Sequence, residues 1–214
     1  MDTKFRNLIK EIFEKVYFYM SYSIIFIISM VMGLVFLSFA GTNVMLFDLN
    51  DKVSGERYKE KIKVFKFFKE NIINYLLKYL KISLLYVSVI FILAVDIFYF
   101  STSITLLFTG MFYLNIILAF VLVNAMFISF FLMAKYPDLK FVQIAKNSIA
   151  LVIVNIIDIL VLNAFIVAIA MIFYKISSLL IFILLAGLAI DIAYGFYKKI
   201  LGKKSLTYLI FNLD

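Results

Sequence analysis

Two aspartates stand inside otherwise apolar runs, and they are the residues best placed to do chemistry. Asp158 lies in the run 148–173 and Asp191 in the run 178–197. A carboxylate near the middle of a membrane span costs at least ~2.5 kcal/mol on insertion scales, so it must face other protein, pair with a donor or keep its proton. Asp158 would sit roughly 18 Å along a helix from Lys146, near mid-membrane. Asn155 is three residues earlier, on the same helical face. Two uses fit this pair: a step on a proton or substrate pathway, or a hydrogen-bonded cluster with Asn115 or Asn124 of the preceding run. Asp191 lies closer to its basic flank, about 10 Å along a helix from Lys198. Lys81 reaches a similar depth in its own run, so a Lys81–Asp191 ion pair is one expectation. The other has Lys81 snorkelling alone and Asp191 bonded to a tyrosine or asparagine.

The absences narrow the chemistry further. The chain has no histidine and no cysteine. That rules out a Ser–His–Asp hydrolase, a disulfide and the usual His/Cys zinc site. No paired carboxylates or metal-ligand motif occur at helical spacing. No catalytic, cofactor-binding or metal residue is therefore assigned, and the chain reads as non-enzymatic.

These residues must be positioned by membrane helices. Of 214 residues, 65% are hydrophobic and the mean hydropathy is +1.08, far above soluble domains. The apolar residues come in long runs, the mark of transmembrane helices. The expected fold is all-α: a polytopic transmembrane helical bundle forming a single domain over 1–214. The formal charge of +8 fits a basic membrane face better than nucleic-acid binding.

In chain order, residues 1–16 form an amphipathic segment. Phe5, Leu8, Ile9, Ile12, Phe13 and Val16 share one face, as in an interfacial helix or a charged extension of the first span. The run 17–47 is too long for a signal-peptide core of about 7–15 residues and longer than the about 20 residues of one span. Ala40-Gly41-Thr42-Asn43 is the predicted break, making 17–50 a first span plus a returning segment. A polar, basic connection follows, with a turn signal at Ser54-Gly55. One long helix is then predicted over 56–100, of which 64–100 alone would measure roughly 55 Å. Further spans are predicted over 105–134, 148–173 and 178–197, with a polar connection over 135–147 that holds the single proline, Pro137.

Charge decides between topologies. If 17–47 crosses once, the basic N-terminus and the basic 51–71 connection fall on opposite sides, against the positive-inside rule. If it crosses and returns, every Lys and Arg except Lys175 shares one side. The second arrangement is expected: five hydrophobic runs, about six membrane segments, both termini cytoplasmic, and basic amphipathic helices at the cytoplasmic interface. The aromatic–lysine cluster Lys63, Lys66, Phe67, Phe68 and Lys69 then suits anionic lipid headgroups or a cytoplasmic partner.

The stretch Phe67-Phe68-Lys69-x-Asn71, followed by an apolar helix ending Asp96-x-x-Tyr99-Phe100, resembles the YesL-like family of small bacterial membrane proteins. Tyr136-Pro137-Asp138-Leu139-Lys140, followed by Ala145-Lys146-Asn147-Ser148, is similar as well, and so is the order of segments. The resemblance implies a protein of the bacterial cell membrane associated with carbohydrate uptake, and it supplies no catalytic residue. The expected function is a non-enzymatic accessory or regulatory component of solute transport, partnered by a transporter permease or a second copy. The alternative is a small oligomeric transporter or channel using Asp158 and Asp191. A membrane-embedded enzyme acting on lipid ranks below both.

Overall fold

The computed structural model describes residues 3–33, 36–54, 61–102 and 105–202. Every element among them is helical. α1 runs Thr3–Met32, without a glycine or proline to interrupt it. The amphipathic residues near the N-terminus are thus continuous with the first span, the charged-extension alternative. The chain leaves α1 at Gly33 and turns back tightly. A Cβ on Gly33 would fall 2.2 Å from the Ser38 Cβ, so only glycine allows so close a return.

α2 follows at Phe39–Ser54. The break therefore comes before Phe39, earlier than the Ala40–Asn43 position expected from sequence. Those four residues belong to α2, and their small or polar character serves packing instead. A Cβ on Gly41 would lie 2.7 Å from the Tyr75 carbonyl oxygen, so this glycine lets α2 lie against the next helix. The Ala40 N–H, which has no partner inside its own helix, donates to Ser83 Oγ at 2.9 Å. The Asn43 side chain donates to the Phe39 carbonyl at 2.7 Å.

α3 spans Lys61–Ser101, about 60 Å of continuous helix, and contains the predicted long element apart from 56–60, which lie outside the described residues. α4 is Leu106–Lys135. The connection after it is shorter than expected, because α5 already begins at Phe141 and runs to Val154. The predicted 148–173 span is not one straight helix. It bends at Asn155 (φ −113°, ψ 33°) before α6, Ile156–Ile176. At the bend Asn155 Nδ2 donates to the Leu151 carbonyl at 3.0 Å, and so does its own backbone N–H at 3.1 Å. The last span, α7, is Ser178–Leu201, with one π-helical turn over Ile181–Leu185.

Five of these helices contain segments long and apolar enough to cross a bilayer: Arg6–Met32, Val64–Ser101, Leu106–Lys135, Ile156–Ile176 and Ser178–Leu201. The protein is an all-α polytopic membrane bundle. Cross-helix bonds fix the directions. Ala40–Ser83 and Asp48–Tyr75 make α2 antiparallel to α3. Ser23–Gly187 and Tyr19–Asp191 make α1 antiparallel to α7. With Tyr194 bonded to Asp51 and Met133 and Ala134 bordering one pocket with Asp48 and Tyr75, the C-terminal ends of α2, α4 and α7 and the first half of α3 share one end of the bundle.

α2 is the centre of the core. Ala40, Val44, Met45, Leu46, Phe47 and Leu49 are all at most 2% exposed, and Thr42, Asn43 and Asn50 are buried with them. Phe47 lies between the rings of Phe131 and Tyr197, at centroid distances of 5.9 and 6.1 Å. A segment as polar as residues 40–50 is tolerated in a membrane because neighbouring helices enclose it.

Candidate functional site

The polar residues of the bundle converge on the C-terminal end of α2. Asp48 and Lys52 are one turn apart and form an ion pair at 2.6 Å, as i,i+4 spacing favours. Tyr75 of α3 donates its O–H to the same Asp48 carboxylate at 2.5 Å. Lys52 Nζ also stands 4.7 Å from the centre of the Phe67 ring. On the opposite side, Asn50 Nδ2 donates to Asp191 Oδ1 at 3.2 Å. Tyr19 of α1 donates to Asp191 Oδ2 at 3.0 Å. Asp51 accepts the O–H of Tyr194, three residues beyond Asp191 and so on the same face of α7.

Each of three carboxylates is thus held by a phenol from a different helix. Hydrogen bonds to a charged acceptor contribute about 1.5–3 kcal/mol each, more than neutral ones. The cluster joins α1, α2, α3 and α7 at one level. Its oxygens already accept protein donors, and among the described residues no group of three His, Cys, Asp or Glu is placed to hold a metal ion.

Beside this hub a cleft opens between α2, α3 and the α4–α5 connection. One lobe, of about 300 Å³, is bordered by Asp48, Lys52, Asn74 and Lys78. The adjoining lobe, of about 210 Å³, is bordered by Ile82, Leu139, Phe141 and Ile144. Lys78, Tyr79, Met133 and Pro137 line both.

The residues singled out from sequence are distributed differently from the expectation. Asp191 has the tyrosine and asparagine partners named as one of its two possibilities. Lys81 is exposed on α3 and forms no ion pair with Asp191. Asn155 is 6% exposed, but its amide donates to the Leu151 carbonyl rather than to Asp158. Asp158 sits half-buried in the first turn of α6. The interhelical amide contact does exist, with a different donor: Asn163 Nδ2 donates to Asn124 Oδ1 at 2.8 Å. In the aromatic–lysine cluster, Lys66 and Lys69 are exposed, with Lys66 3.9 Å from Glu70. Phe67 and Phe68 instead turn partly inward and pack against the core, which leaves the lysines as the open part of the cluster. The Lys63 side chain lies outside what the structure describes.

Sequence reasoning passed over Asp48, Asn50, Asp51, Tyr19, Tyr75 and Tyr194. A signal was present: Asp48-x-Asn50-Asp51-Lys52 closes an apolar segment with polar groups at i, i+3 and i+4. It reads as a solvated loop until α2 is known to be enclosed. No family model, curated protein or solved structure matches the chain, so the meaning of the site rests on its own geometry.

Proposed function

We propose that the protein is a non-enzymatic membrane component that assists or regulates a solute transport system, of the kind its YesL-like resemblance implies for carbohydrate uptake. The observation that supports this reading is the closure of the acidic hub. Asp48, Asp51 and Asp191 are engaged by Tyr75, Tyr194, Tyr19 and Asn50 of the same chain. Groups so engaged staple helices together instead of offering ligands to a passing solute. The exposed Lys66 and Lys69 on α3 give the same end of the bundle a basic surface for a partner. In this reading both termini and the hub face the cytoplasm, and the membrane is the plasma membrane.

A second reading is an oligomeric transporter or channel. It is favoured by Asp158, which stands beside the Asn155 bend on a helix whose Ile157, Leu160 and Val161 are 74%, 51% and 54% exposed. A second copy against α6 would enclose that carboxylate. Affinity purification from the native membrane separates the two. The accessory role expects a transporter permease to co-elute and pure protein in liposomes to pass no solute. Sugar or ion flux through pure protein, lost in Asp158→Asn, would replace the first reading with the second. The absence of cysteine makes orientation directly testable. A membrane-impermeant maleimide should label Lys175→Cys from outside intact cells and leave Lys146→Cys unlabelled.

A further inference from the structure

From the two-lobed cleft beside the hub we infer a binding site for an anionic amphiphile, a phosphate-bearing lipid of the adjacent leaflet. The site is independent of the transport role. The first observation is depth. Lys78 lies about 35 Å along α3 from Ser101, slightly more than the ~30 Å hydrocarbon thickness of a bilayer. If the far end of α3 reaches one interface, Lys78 stands at the headgroup level of the other.

The second observation is charge. Lys52 is neutralised by Asp48 at 2.6 Å. Lys78, on the wall common to both lobes, has no carboxylate within ion-pair distance among the described residues, and its Nζ rests 5.3 Å from the Tyr79 ring centre. Among the described residues the cleft therefore carries one uncompensated cation. Asn74 on the same wall adds an amide that forms no side-chain bond among the described residues.

The third observation is the gradient of chemistry along α3. Asn74 and Tyr75 border the first lobe, Lys78 and Tyr79 border both, and Ile82 borders the second. This order runs from polar to apolar in the direction that leads into the membrane. A phosphate beside Lys78 would place an attached acyl chain along Ile82, Leu139 and Ile144. Basic clefts between membrane helices at the headgroup level hold anionic lipids in this way. A free phosphate would fill the first lobe and leave the second empty.

The test is native mass spectrometry of the full chain released from detergent, titrated with dioleoyl phosphatidylglycerol, dioleoyl phosphatidylcholine or inorganic phosphate. One phosphatidylglycerol should be retained in preference to phosphatidylcholine. Lys78→Gln should weaken that retention about fivefold, Lys78→Arg should restore it, and Lys199→Gln, on an exposed lysine outside the cleft, should leave it unchanged. Equal losses in Lys78→Gln and Lys199→Gln would mean diffuse attraction to the basic surface and would overturn the site. Equal retention of the two lipids would do the same. Displacement of the lipid by equimolar inorganic phosphate would overturn the acyl lobe and make the ligand a soluble phosphate. Circular dichroism of each variant confirms that the helices are kept, and Lys78→Arg reports on the site even if Lys78→Gln fails to fold.

Discussion

The half of the bundle around α2 and the half beyond it are built on different rules. Around α2, polar side chains cross between helices and backbones approach at glycine. Gly187 of α7 is so close to α1 that a Cβ there would fall 2.4 Å from the Tyr19 carbonyl oxygen, and its N–H donates to Ser23 Oγ at 3.0 Å. In the far half, α3, α4 and α6 present apolar side chains outward: Phe98 is 73% exposed and Leu106 is 91% exposed. Gly110 there has nothing within 4 Å of a would-be Cβ. Lipid is as apolar as these side chains, so they gain little by packing together. The near half must be specified residue by residue, whereas the far half, apart from the Asn163–Asn124 contact, needs only length and hydropathy.

That contrast can be tested with matched substitutions, followed by thermal unfolding in one detergent. Phe47→Ala removes a ring at the centre of the core and should cost about 3–5 kcal/mol. Phe98→Ala should stay within about 0.5 kcal/mol. A similar loss at both positions would mean that the far half is packed as tightly as the near one. The same change at two glycines should even differ in sign. Gly187→Ala forces α1 and α7 apart and should destabilise by about 1–3 kcal/mol. Gly110→Ala should stabilise by about 0.5–1 kcal/mol through helix propensity alone.

Smaller effects separate the hub from the other polar contact between helices. Tyr19→Phe deletes one donor to Asp191 and should cost about 1–3 kcal/mol. Asp191→Asn in the same background measures the coupling, and a coupling near zero would remove the bond from the list of staples. Asn163→Leu tests the polar contact with Asn124 on α4. It should cost about 0.6 kcal/mol, and no more than about 1.7.

Asp191 shows how far a sequence can be read. Its position in an apolar run makes a partner obligatory, and depth along the helix suggested Lys81. The actual partners, Tyr19 and Asn50, come from elements 172 and 141 residues away in the chain. Which helices stand beside α7 is decided by close approaches such as the one at Gly187, and these leave no trace in local periodicity. Asn155 misled for the opposite reason: its bond is local, to Leu151, at the junction of α5 and α6, and does not serve Asp158.

The amino-acid sequence by itself determined the all-helical membrane class, the long α3 and a first run that turns back. Hydrophobic length and charge are summed over many residues, so small local errors do not disturb them. Tertiary structure alone decided that α2 is enclosed rather than lipid-facing, that its end carries the polar hub, and that Lys78 borders a cleft. Burial and hydrogen-bond partners are properties of neighbours, and a polar helix end reads as a solvated loop until four other helices are seen around it.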